Sequence, residues 1–111
     1  MPLVHIVLFE FKPSVERSVI QDVCKRMLAL KQNCVHPLSK QPYILDCSGG
    51  RDNSPEGHQV GAFTHGFVSH FANEADRKYY LEEDPAHKAF VKSLDGIIQN
   101  IRIIDYEPGA F

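Results

Sequence analysis

Four β-rich runs and two helical stripes follow one another in the order β-α-β-β-α-β, and this order predicts an α+β sandwich. Three observations carry that expectation. The run "LVHIVLFEF", Leu3 to Phe11, is apolar on both faces, which suits a strand covered on both sides. The stretch "SVERSVIQDVCKRMLALK" places Val15, Val19, Val23, Met27 and Leu30 at helical spacing. The remaining strand runs are short, rich in β-branched and aromatic residues, and separated by turn residues.

Each element has a local reason. In the first strand His5, Val7, Phe9 and Phe11 share one face, and Val4, Ile6 and Leu8 share the other. Pro13 and Ser14 stop it, with Ser14 as the expected N-cap of the first helix. Cys24 and Leu28 widen that helix's apolar stripe. Gln32 to Gln41 is polar, holds Pro37 and reads as a loop. "PYILDCSGG" is a second, weaker strand, and "RDNSPEGHQ" reads as an exposed hairpin loop. The third strand, "VGAFTHGFVSHF", puts Phe63, His65, Phe67 and Phe71 on one face, a row that reads as core. Asn73 is expected to cap the next helix, with Asp76 at its third position.

The stretch "YYLEEDPAHKAF" carries a proline inside a helical pattern. Proline lacks a backbone donor and disfavours helix in the residue before it, yet it suits the first helical position. Asp84-Pro85 therefore ends one helix and starts another, with Asp84 as N-cap. The new segment is expected to bury Val91, Leu94 and Ile98, with His87 one turn before Val91 and aimed at the sheet. Glu82-Glu83-Asp84 reads as a solvated acidic turn, and Tyr79 and Tyr80 point different ways, so one of them should meet only solvent or a partner. "NIRIIDYEP" is the last strand, stopped by Pro108 and Gly109. Four mainly antiparallel strands with helices on one face make the ferredoxin-like fold. The opposite face, with Val4, Ile6, Leu8 and Ile104, would lie bare in a monomer, and a bare apolar face of that size marks an interface. Two sheets packed face to face would form a barrel-like homodimer.

Composition narrows the class. The 111 residues suit a single domain, 1–111, and 43% hydrophobic with 23% charged residues is a globular mixture. A net charge of −2 points to neither nucleic acid nor an anionic membrane surface. The three cysteines, Cys24, Cys34 and Cys47, lack a CxxC spacing, so reduced thiols in the cytoplasm are expected. The opening "MPLVHIVLFEF" has no basic leader, and no run approaches the length of a membrane span.

The segments "HIVLFEFK", "GRDNSPEG", "FTHGFVSHF", "DPAHKAF" and "IIDYEP" together resemble the stress-responsive dimeric α/β-barrel (Dabb) family. They cover nearly the whole chain in the family's order. The family includes stress proteins and olivetolic acid cyclase, a cofactor-free polyketide cyclase. The resemblance to that cyclase implies His87, in the "PAH" motif, as base, with a tyrosine on the preceding segment, Tyr80, assisting. It also matches His5 in the first strand and His65 in the third. Two positions depart from the cyclase: Met27 stands for a pocket tyrosine, and Asp84 for the first histidine of "HPAH".

The chemistry of such a site is simple to state. A neutral imidazole takes a proton near neutral pH. An aldol-type ring closure needs a base to form an enolate and a donor to hold the oxyanion. His87 would be the base, with Tyr80 or His5 as donor, in a pocket between helices and sheet lined by Val7, Phe9, Val23, Met27, Phe67 and Phe90. Such walls suit an apolar or polyketide-like ligand. No cofactor is implied. His5, His65 and His87 lack the spacing of a compact zinc motif, so no metal is expected, and His58 and His70 fit no arrangement. Two readings stay open. One is a cofactor-free cyclase or lyase acting on a β-carbonyl substrate. The other is a non-catalytic stress-response homodimer that carries small apolar ligands. Fold analogy adds a third, a cofactor-free monooxygenase.

Overall fold

The computed structural model describes residues 2–56 and 63–111. Its elements run β1 (Leu3–Phe11), α1 (Arg17–Asn33), β2 (Ile44–Arg51), β3 (His65–Phe71), α2 (Glu74–Glu82), α3 (Pro85–Ser93) and β4 (Ile98–Tyr106). The four strands form one antiparallel sheet in the order β2-β3-β1-β4. This is the ferredoxin-like α+β arrangement that the element order predicts, with the second helix delivered as two pieces. His58 and Val60 to Ala62, which the hairpin and third-strand readings included, lie outside the described residues.

β1 is central and hydrogen-bonded on both edges, and its alternation sorts the two faces. Leu3, Val7, Phe9 and Phe11 join Phe67, Phe71, Val23, Met27, Leu30, Tyr80, Phe90 and Leu94 in the core beneath the helices. Val4, Ile6 and Leu8 point the other way, opposite His70, Val68 and Gly66 of β3 and Tyr106, Ile104 and Arg102 of β4. Gly49 is a packing requirement: a Cβ there would overlap the Phe67 ring and crowd the Gly66 carbonyl.

Several local expectations change. Ser14 does not cap α1. The chain first makes a turn closed by the Val15 N–H on the Lys12 carbonyl (3.0 Å), and the helix opens on the Glu16 carbonyl, which receives Val19 and Ile20. Val19 and Leu28 lie at the exposed margin of the stripe, which is buried only at Val23, Met27 and Leu30. In α3 Val91 is 51% exposed, and the buried line runs through Phe90 and Leu94 instead. α3 ends before Gly96, whose φ of 79° turns the chain into β4 as a left-handed glycine does after a helix. Ile98 therefore begins the last strand and does not extend the helical stripe. Phe63 lines a cavity with Leu8, Gly50 and Gly66, on the sheet face opposite to Phe67 and Phe71.

Candidate active site

α2 and α3 are separate helices because Asp84 serves both. Its N–H donates to the Tyr79 carbonyl of α2 (2.9 Å), and its Oδ1 accepts from Ala86 N (2.9 Å) and His87 N (3.4 Å) in the first turn of α3. Pro85 takes the first helical position, where no donor is needed. The Glu82-Glu83-Asp84 turn is thus not uniformly solvated: the two glutamates are exposed, and Asp84 is buried at 1% exposure.

This break aims His87 inward, three residues before buried Phe90. Its ring stacks on Tyr80 with centroids 3.8 Å apart and planes inclined by 26°. Tyr80 is 1% exposed and also meets His5 edge-on at 6.0 Å. Tyr80 thus contacts two imidazoles. Tyr79 faces away from this group but not into solvent alone: its ring packs on Tyr43 at 5.6 Å and near His36 at 6.3 Å.

β1 and β4 supply the next layer. His5 Nδ1 contacts Asp105 Oδ1 at 2.6 Å across the β1–β4 ladder, where the two residues are directly paired. A carboxylate accepts, so Nδ1 donates and Nε2 is left as the free nitrogen. Arg77 of α2 donates to the other oxygen of Asp105 at 3.3 Å. The sequence reading named neither Asp105 nor Arg77. The signal for Asp105 was an acid inside an apolar strand, "IRIIDYEP", but only the antiparallel register puts it opposite His5.

Burial pushes the His87 imidazole below its ordinary value of 6.5. His5 adds to this, while the Tyr80 backbone and the Asp84 carboxylate oppose it. His87 Nδ1 is buried with no hydrogen-bond partner among the described residues. Burial, followed by the nearby Cys34, Cys47 and Asp84 charges, pushes the Tyr80 phenol up. The result is a neutral imidazole with an unused nitrogen, stacked on a protonated phenol: an acceptor and a donor held side by side.

The other expected site residues separate into two groups. Val7, Phe9, Val23, Met27, Phe67 and Phe90 are all buried and packed together in the core. His65 pairs with Phe9 on β1, whereas His5 pairs with Ser69, four residues further along β3 and about 13 Å away at strand rise. His65 packs edge-on against Phe11 at 5.2 Å and is 2.8 Å from the Thr64 hydroxyl. It lines a cavity of about 740 Å³ with Arg17, Ile20, Cys24 and Arg51, apart from the Tyr80 group. Among the described residues no cluster of three or more His, Cys, Asp or Glu could hold a metal ion.

Comparison with known proteins agrees with this architecture. A stress-response A/B barrel domain-containing protein of Arabidopsis thaliana, HS1, is 29% identical over 107 residues, covering 96% of this chain and 90% of the relative. A crystal structure of an Arabidopsis thaliana protein superposes with a TM-score of 0.80 at 28% identity, covering 98% of this chain and 97% of that one. The hydroxynitrile lyase of Passiflora edulis gives a TM-score of 0.79 at 20% identity, covering 99% and 96% of the two chains, a likeness of fold alone. A Bacteroides fragilis protein of ferredoxin-like fold, described as dimeric and of unknown function, gives 0.66 at 24% identity over 96% and 95%. The sequence profile of the stress responsive A/B barrel domain, Dabb, matches residues 3–108, so the chain belongs to that family.

Proposed function

We propose that this Dabb protein is a homodimeric, cofactor-free cyclase or lyase in which His87 is the general base. The observation that carries the reading is the His5–Tyr80–His87 group, in which His5 and Tyr80 are buried and half-buried His87 keeps a buried, unpartnered Nδ1 among the described residues. Acid–base chemistry next to a carbonyl needs only these parts. His87 Nδ1 takes the proton from the carbon between two carbonyls of a polyketide-like substrate. The enolate carbon attacks a further carbonyl, forming the new C–C bond. The alkoxide that results accepts a hydrogen bond from the Tyr80 hydroxyl, then the proton from His87; His5, whose Nδ1–H is committed to Asp105, is left with an acceptor nitrogen and is not the donor. The reverse sequence cleaves such a bond, and a hydroxynitrile lyase among the proteins of the same fold lends the catalytic reading support.

The homodimer would close through the outer sheet face. Ile6, Leu8 and Val68 are half-buried there, and Ile104 and Tyr106 are exposed. Cover by a second copy removes this apolar patch from water. The dimeric description of the Bacteroides fragilis protein supports it.

One observation favours a second reading. The six residues expected to wall a pocket fill the core among themselves, as in a stress-response dimer that performs no turnover. Assay of wild type and His87→Ala against β-polyketide thioesters, free β-keto acids and aromatic cyanohydrins separates the two. Under the catalytic reading wild type turns over one class and folded, dimeric His87→Ala does not. Equal rates in both proteins remove His87 as base, and no turnover of any class supports the non-catalytic reading.

A further inference from the structure

We infer that Tyr43 and Asp84 form a positioning pair that holds the His87 imidazole over Tyr80, an inference that gives the pair its catalytic meaning only through the reading of His87 as base. Asp84 is buried, and both of its carboxyl oxygens are occupied. Oδ2 accepts from the Tyr43 hydroxyl at 2.6 Å, and Oδ1 from the backbone of Ala86 and His87. Tyr43 comes from the segment entering β2, forty-one residues away in sequence, and is itself buried. Its ring stacks on Phe71 at 6.4 Å and meets Tyr79 edge-on. The start of α3 is thereby tied to the sheet and not only to its own first turn.

A helix cap alone does not need this construction. An N-cap carboxyl is ordinarily solvated on its second oxygen, and asparagine or serine caps as well. Here the second oxygen has a committed donor, and the acid is kept out of water at a cost that a neutral cap would avoid. What the acid adds is charge next to His87. The groups that act on the imidazole from the surrounding elements are His5 from β1, Tyr80 from α2, whose ring stacks on it, and Asp84 at the start of α3. Burial and His5 lower its proton affinity, while the Tyr80 backbone and Asp84 raise it. The same charge reaches Cys34, whose thiol is pushed up to about 12 by burial first and Asp84 second. Asp84 thus offsets part of what burial takes from the base, and Tyr43 keeps the carboxylate in place to do so.

The test is an NMR pH titration of the ¹⁵N-histidine-labelled full chain, compared between wild type, Asp84→Asn and Tyr43→Phe. Asparagine preserves the cap, so α3 keeps its backbone shifts, and the His87 midpoint is expected to move to lower pH. Tyr43→Phe frees the carboxyl and is expected to reduce the ring-current shift that Tyr80 imposes on the His87 ring protons. A folded Asp84→Asn with an unmoved midpoint overturns the proposal. If Asp84→Asn does not fold, Tyr43→Phe decides, and an unchanged ring-current shift overturns it. Neither readout uses a substrate. A moved midpoint without turnover keeps the pair and removes the proposed reaction, and turnover with an unmoved midpoint does the reverse.

Discussion

The Tyr80 phenol ring and the His87 imidazole lie face to face at 3.8 Å, although six residues and a helix break separate them in the chain. In one continuous helix residues seven apart return to the same face two turns on, about 10 Å along the axis. The Asp84-Pro85 junction folds α3 back so that the two rings meet. That contact is where the first test should fall.

Substituting His87 by alanine should reduce turnover by about 10² to 10⁴-fold, the usual contribution of a positioned general base. His87 is half-buried, so the fold should survive. Steady-state kinetics beside circular dichroism and light scattering check both parts.

Stability should fall in mild acid. His87 and His65 both have imidazoles lowered from 6.5, His87 by burial first and His65 by burial and then Arg51. Above 6.5 neither the folded nor the unfolded chain holds these protons. As pH falls past 6.5 the unfolded chain takes them first, so it binds more protons and gains. The loss is complete below the folded values. Urea midpoints measured from about pH 8 to pH 5 should decline through the lower half of that range. In His87→Gln the decline should be shallower.

Tyr43→Phe should lower stability by about 1–3 kcal/mol, because it leaves an oxygen of a buried carboxyl without its donor. Urea denaturation reads this directly. A cost near zero would mean that water reaches Asp84.

Gly49→Ala should destabilise by about 1–3 kcal/mol, since the new methyl meets the Phe67 ring and the Gly66 carbonyl, and the carbonyl cannot rotate away. The neighbouring Gly50 has open space at the same position, so Gly50→Ala serves as the control in one denaturation series.

Ile104→Glu should convert the proposed dimer to monomer. The residue is 52% exposed on the edge strand β4 of the outer face, across from Ile6 of β1, and a charge there opposes burial against a second copy. Light scattering after size exclusion gives the mass. An unchanged dimer would place the interface elsewhere.

The fold was legible because its signals are periodic. Alternation in β1 separated His5, Val7 and Phe9 from Val4, Ile6 and Leu8 without error, and Asp84-Pro85 located the helix break. Boundaries were harder, because caps answer to backbone geometry: Ser14 has the right side chain but lies in a turn, and Glu16 opens the helix without using its own. Val91 has the right spacing from His87 but sits one position round the helix from Phe90, and a nine-residue helix buries only one line. The site was legible where its residues share a local segment, as Tyr80 and His87 do. It was hidden where pairing across the sheet assembles it. Asp105 and Tyr43 acquire meaning only from register and from a contact between distant segments.

The His5–Asp105 contact spans a hundred positions of sequence. During synthesis the imidazole leaves the ribosome a hundred residues ahead of its carboxylate. No intermediate length of nascent polypeptide can orient that ring, so this half of the constellation is completed last. Chains arrested before β4 would contain Tyr80 and His87 and still lack the acid that fixes His5 beside them.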